Sequence, residues 1–137
     1  RALAAYEPKN NRSQLMETDD NKLLVDAYNA NPTSMRAAIE NFRDMKVERR
    51  MVILGDMGEL GESSWKAHQA IADLLVESGF EHVWLVGPKF KAARHPFRTF
   101  DSVEQVKKAL EIKKPKGYYI LIKGSHSTRL YDLPDFL

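Results

Sequence analysis

The chain has 137 residues, one domain's length, and an ordinary globular composition with 43 % hydrophobic and 29 % charged residues. A formal net charge of +2 is too small to point to nucleic acid, and no apolar run approaches the ~20 residues needed to cross a bilayer. The absence of cysteine excludes disulfides and thiolate metal sites and suits a reducing compartment.

Arg1 to Tyr6 reads as the end of a helix that Pro8 stops, not as a signal peptide, because no long apolar stretch follows a basic one. That start suggests one domain of a longer protein. Ser13 to Thr18 and Lys22 to Asp26 read as strands joined by the turn Asp19-Asp20-Asn21, which predicts an antiparallel hairpin. Asn31 can cap the next helix, with Pro32 in its first turn. Met35, Ala38, Ile39, Phe42 and Met45 then form one buried face. Met51 to Leu54 is a continuous apolar run, the pattern of a strand covered on both faces.

Ser63 or Ser64 is expected to cap a second helix. Its apolar face comprises Trp65, His68, Ile71, Ala72 and Leu75, and Gly79 ends it. Trp65 and Trp84 both read as core residues. His82 to Val86 is a strand, Lys89 to Ala93 a helical turn, and Arg98 to Phe100 a short strand. Ser102-Val103-Glu104-Gln105 has the pattern of a capping box. Tyr118 to Ile122 is a strand rich in aromatic and β-branched residues, and Thr128 to Leu137 reads as a last helix, broken near Pro134. Strands alternating with helices predict an α/β, Rossmann-like three-layer domain. Its sheet has about six strands, mostly parallel, with one antiparallel strand near the N-terminus.

Three loops after strands carry dense polarity: Asp26 to Asn31, Asp56 to Glu59, and Lys123 to Ser127. In a parallel sheet all three emerge at the carboxyl edge, where ligands bind. Each also has a plainer reading. Asp26 and Asn31 suit helix capping, Gly55-Asp56 and Gly58-Glu59 suit turns, and His68 on an apolar face suits packing. The four histidines are scattered without metal-ligand spacing, and no metal site is expected. Ser125 and His126 are sequence neighbours, which places their side chains poorly for a nucleophile and base, and G-x-S-x-G is missing. There is no G-x-x-x-x-G-K-[ST] and no G-x-G-x-x-G. The residues alone suggest binding and electrostatic positioning without a complete catalytic apparatus.

Taken in order, Asp26-x-Tyr28-Asn29-Ala30-Asn31-Pro32-x-Ser34-Met35, Leu54-Gly55-Asp56-Met57-x-Glu59-Leu60-Gly61 and Lys123-Gly124-Ser125 closely resemble the C-terminal domain of the Mur ligases. Asn11-Arg12-Ser13-Gln14 and His68 fit the same pattern. The strings are most similar to those of the members that join D-Ala-D-Ala to UDP-N-acetylmuramoyl-tripeptide. The resemblance implies that residues 1–137 are the third of three domains, with residues 1–12 leading in from the central one. The missing phosphate loop and the Mg2+ ligands would then lie upstream, the isolated domain would not ligate, and the enzyme would be cytoplasmic and bacterial. The family reaction uses ATP to phosphorylate the tripeptide carboxylate, which the dipeptide amine then attacks.

By this resemblance Arg12, Asp26, Tyr28 and Asn29 belong to ATP binding, with Arg12 offsetting phosphate charge and Asp26 near the ribose hydroxyls. Asn31, Asp56, Glu59, Lys123, Gly124, Ser125 and His126 belong to the D-Ala-D-Ala side. Asp56 and Glu59 are left between holding the dipeptide ammonium and organising their loop, and the role of His126 stays open. Two other identities remain: a different Mur or folylpolyglutamate synthetase-type ligase domain, or a non-catalytic Rossmann-like binding module.

Overall fold

The structure is a computed structural model and describes residues 14–27 and 30–137. Among these residues six strands form one sheet in the order β1-β2-β6-β3-β4-β5. They are β1 (Gln14–Glu17), β2 (Lys22–Asp26), β3 (Arg50–Gly55), β4 (Val83–Val86), β5 (Arg98–Phe100) and β6 (Tyr119–Lys123). β1 pairs antiparallel with β2, and every other pairing is parallel. The predicted fold class and the single antiparallel strand are what is found.

Helices α1 (Pro32–Asp44), α2 (Ser64–Glu77), α3 (Pro88–Ala92) and α4 (Val103–Ile112) connect the strands. Strand alternation sends residues to two separate cores. Val52, Leu54 and Leu121 point to the face covered by α1, α2 and α3, where they meet Met35, Ile39, Phe42, Ile71, Leu75 and Phe90. Met51, Ile53, Ile120 and Ile122 point to the other face, where Val103, Val106 and Leu110 of α4 cover them with Leu130, Leu133 and Leu137. β3 and β6 are thus apolar on both sides, which is why they read as unbroken apolar runs.

Local caps differ from the sequence pattern in instructive ways. Asn31 does cap α1: its Oδ1 accepts from Ser34 N at 2.9 Å, and Asn31 N donates to Ser34 Oγ at 3.2 Å. The Ser102 capping box does not form; Gln105 reaches one residue further back and accepts from Asp101 N at 2.8 Å. Neither Ser63 nor Ser64 caps α2 with its side chain, because a short 3-10 turn at Gly61–Ser63 leads straight in and Ser63 Oγ donates to the Leu60 carbonyl. Trp65 is not core: it lies in the first turn of α2 and is 67 % exposed, while Trp84 is half-buried against Phe100. The C-terminal segment is not an α-helix but two 3-10 turns, His126–Thr128 and Leu130–Phe136. Its end is fastened at the opposite edge of the sheet, where the Leu137 carbonyl accepts from Thr18 Oγ1 and Asn21 Nδ2, each at 2.9 Å.

β6 enters between β2 and β3, and its continuation runs to the α4 face while the chain leaving β2 and β3 runs to the other face. Adjacent strands whose loops part to opposite faces open a crevice at their carboxyl ends. That opening rests on a close backbone approach. A Cβ on Gly124 would lie 2.8 Å from Thr128 Oγ1 and 3.0–3.1 Å from the Gly55 backbone. Because backbone cannot swing aside, Gly124→Ala is expected to cost about 1–3 kcal/mol of stability, read as a lower urea midpoint with an unchanged slope. No loss would mean that the two loops separate freely.

Candidate functional site

The carboxyl edge is built from the ends of five parallel strands. Asp26 and Lys123 are register partners at the ends of β2 and β6. Lys123 is 1 % exposed, and its Nζ lies 2.8 Å from Asp26 Oδ2. A buried ammonium needs such a partner, since an isolated charge there is too costly to keep. The other carboxylate oxygen, Asp26 Oδ1, is buried with no hydrogen-bond partner among the described residues. It retains acceptor capacity there.

The loop after β3 is held by its own side chains. Asp56 turns both oxygens toward the start of α3: Oδ2 accepts from Lys89 N and Oδ1 from Phe90 N, each at 2.9 Å. These are the orphan donors of a helix N-terminus, where a carboxylate is favoured. The arrangement requires Gly87, whose φ is 117° and where an added Cβ would collide with the Asp56 carboxylate. Of the two roles open to Asp56, its hydrogen bonds perform the organising one.

His68 fixes the next peptide. It is fully buried; its Nδ1 lies 2.7 Å from the Ser64 carbonyl, and its Nε2 accepts from Met57 N at 2.9 Å. Since a carbonyl only accepts, the proton sits on Nδ1 and the ring is neutral. Burial is the main cause holding the imidazole below its ordinary value; the Ser64 hydrogen bond and the Asp56 charge pull less strongly upward, and Lys89 adds to the lowering.

Between these loops lies a cleft of about 390 Å³ lined by Asp56, Met57, Gly58, the Gly87-Pro88-Lys89 turn, Asp101 to Glu104, Ser125 and Ser127 to Arg129. That is a size common to small-molecule sites. Of the residues singled out from sequence, Asp56 and Ser125 line it. Asp26 and Lys123 form the neighbouring ion pair, and Gly124 makes the close approach to Gly55. Glu59 and His126 are exposed, and the Asn31 side-chain oxygen is used in its cap. Arg12, Tyr28 and Asn29 lie outside the described residues. Lys89, Asp101, Ser102 and Arg129 were not found from sequence. Their signal was positional: Gly87-Pro88-Lys89 also follows an apolar strand, so it had to reach the same edge, though its polarity is sparse. Among the described residues no cluster of three or more His, Asp or Glu side chains is placed to hold a metal ion.

The family model described as Mur ligase, glutamate ligase domain, matches residues 11–126. The chain belongs to this family. A UDP-N-acetylmuramoyl-tripeptide--D-alanyl-D-alanine ligase of Treponema pallidum is 32 % identical over 83 % of this chain and 27 % of its own length. Its counterpart in Rickettsia prowazekii is 28 % identical over 91 % of this chain and 29 % of its own. Among solved structures, MurF from Acinetobacter baumannii superposes with a TM-score of 0.75 at 28 % identity, covering 91 % of this chain and 30 % of that one. MurF ligase from Thermotoga maritima, in complex with ADP, shares the fold with a TM-score of 0.75 at 22 % identity, covering 90 % of this chain and 29 % of that one. This Mur ligase domain therefore spans between a quarter and a third of the length of these relatives.

Two expectations follow for stability. Asp26→Ala leaves a buried ammonium without its carboxylate and should cost about 3–5 kcal/mol; adding Lys123→Met should recover part of that loss in urea unfolding. For His68, the unfolded chain takes up a proton near pH 6.5 while the folded chain resists it. Stability is therefore complete above that pH and falls as the pH drops below it toward the folded value. His68→Gln should show a shallower loss of urea midpoint between about pH 7.5 and pH 5.5 than the wild type, the window set by the ordinary imidazole value.

Proposed function

We propose that this is the C-terminal domain of the ATP-dependent ligase that joins D-Ala-D-Ala to UDP-N-acetylmuramoyl-tripeptide in peptidoglycan precursor synthesis, a cytoplasmic bacterial enzyme. The observation that carries the reading is the mixed-charge cleft at the carboxyl edge, formed by the Gly-Asp-Met and Lys-Gly-Ser loops of a Mur ligase domain. It presents cations, Lys89 and Arg129, and anions, Asp101 and Glu104. A small zwitterion is the ligand such a lining suits. The curated relatives are ligases for D-alanyl-D-alanine, which is zwitterionic.

In this reading Lys89 takes the dipeptide carboxylate, with Ser125 beside it, and Asp56 acts by holding the α3 N-terminus in place. Lys123 serves chiefly to set Asp26, so the two residues act as one unit. Asp26 Oδ1, buried and without a hydrogen-bond partner among the described residues, is suited to accept from a ribose hydroxyl of ATP. Arg12, Tyr28 and Asn29 are assigned to the same nucleotide. Phosphate binding and the Mg2+ ligands are assigned to the central domain upstream, and the UDP-sugar to the first. ATP supplies the phosphoryl group that activates the tripeptide carboxylate. This domain's part is to orient the amine and, on closing, to keep water from the activated acyl group.

The test is ADP release by the intact ligase. It should require both UDP-N-acetylmuramoyl-tripeptide and D-Ala-D-Ala, and the 137-residue domain alone should release none. Preference for a single amino acid over the dipeptide would move the chain to another ligase of the family. Lys89→Ala should raise the dipeptide KM by about tenfold or more, matching a lost charge-assisted hydrogen bond of about 1.5–3 kcal/mol, with little change for ATP. An ATP effect as large would relocate Lys89 to the nucleotide.

A further inference from the structure

We propose that His68 is a positioning residue for the dipeptide: it holds the Asp56–Met57 peptide plane so that Lys89 and Ser125 face the cleft. The inference rests on the ligase reading and extends it to a residue that touches no substrate. The peptide unit is gripped at both ends. Its carbonyl accepts from Ser125 N at 3.2 Å, and its N–H donates to His68 Nε2 at 2.9 Å. One bond therefore ties the β3 loop to the β6 loop, and the other ties it to α2.

The grip continues through neighbouring contacts. Asp56 Oδ1 receives Phe90 N, and the Phe90 ring meets the His68 ring edge-on with centroids 4.7 Å apart. The Met57 carbonyl lies 3.4 Å from Lys89 Nζ. Turning the Asp56–Met57 plane would thus shift both Lys89 and Ser125, two of the groups that line the cleft. Packing does not demand an imidazole here. A fully buried polar ring is costly unless its hydrogen bonds are made, and both nitrogens have partners: Ser64 fixes the tautomer, which leaves the Nε2 lone pair for Met57. The charged groups near the ring are Asp56 from the β3 loop, 3.9 Å from Nε2, and Lys89 from α3.

The experiment uses the intact ligase with His68→Phe, which keeps an aromatic ring and removes the acceptor, and His68→Gln, whose side-chain carbonyl can reach the same N–H. Dipeptide and ATP KM are measured together with hydrogen exchange at the Met57 amide. His68→Phe should raise the dipeptide KM and the Met57 exchange rate each by about tenfold, the scale of one buried hydrogen bond left unmade, with the ATP KM within about twofold. His68→Gln should bring both changes back to within about threefold of the wild type. The inference is overturned if the wild type ligates and His68→Phe leaves the dipeptide KM unchanged, if both KM values rise alike, or if Gln is as impaired as Phe. Should the wild type show no dipeptide-dependent ADP release, the ligase reading fails instead. Exchange at Met57 then still decides the brace, and a rate unaltered in His68→Phe removes it.

Discussion

The Lys123–Asp26 pair is the constraint on which the carboxyl edge depends. It joins the last residues of β2 and β6, 97 positions apart in the chain. Around it the requirements stack up. The ammonium must stay buried, so β6 must end in register with Asp26. Gly124 must then lie against the Gly55 backbone, and Thr128 must fold back over both glycines. A buried ion pair is a poor source of net stability but a strong selector of register, since any slip leaves a charge uncompensated. The edge is thus built for position more than for strength.

The neighbouring loops show the same economy in different chemistry. Asp56 uses a full carboxylate on two backbone N–H groups, and His68 uses an imidazole on a third. These groups would pass for catalytic candidates by type, yet each has its polar atoms turned inward. The residues left facing the cleft, Lys89, Ser125 and Arg129, stand on the elements so fixed. A division between residues that hold the backbone and residues that face the cleft accounts for much of the polar density in these loops.

Much of this was legible in the residues. Alternating apolar runs and helical faces give the sheet and its helices, because period and length are local properties. Asn31-Pro32 marks a helix start by its own chemistry. What was not legible depends on contacts distant in sequence. Trp65 falls on the apolar face by spacing, but it precedes the part of α2 that the sheet covers, so it stays exposed. Ser102 matches a capping box, but Gln105 finds the Asp101 N–H instead. The 3-10 form of Leu130–Phe136 reflects Pro134 inside a segment whose far end is tied to Thr18 and Asn21. At the site, loop composition located the edge, whereas Lys123 beneath the surface and Lys89 upon it could be told apart only by burial.

The placing of β6 also bears on how the chain is made. β6 is the last strand in sequence yet lies near the middle of the sheet, between β2 and β3. Until it emerges during synthesis, the β1–β2 hairpin and the β3–β4–β5 ribbon are separate pieces, each with an open edge of unpaired backbone. Contacts of such long sequence separation form slowly, and open edges invite pairing with other chains. The nascent domain is therefore most exposed to misassembly just before β6 arrives, and a chaperone acting on the β2 and β3 edges would have its greatest effect in that interval.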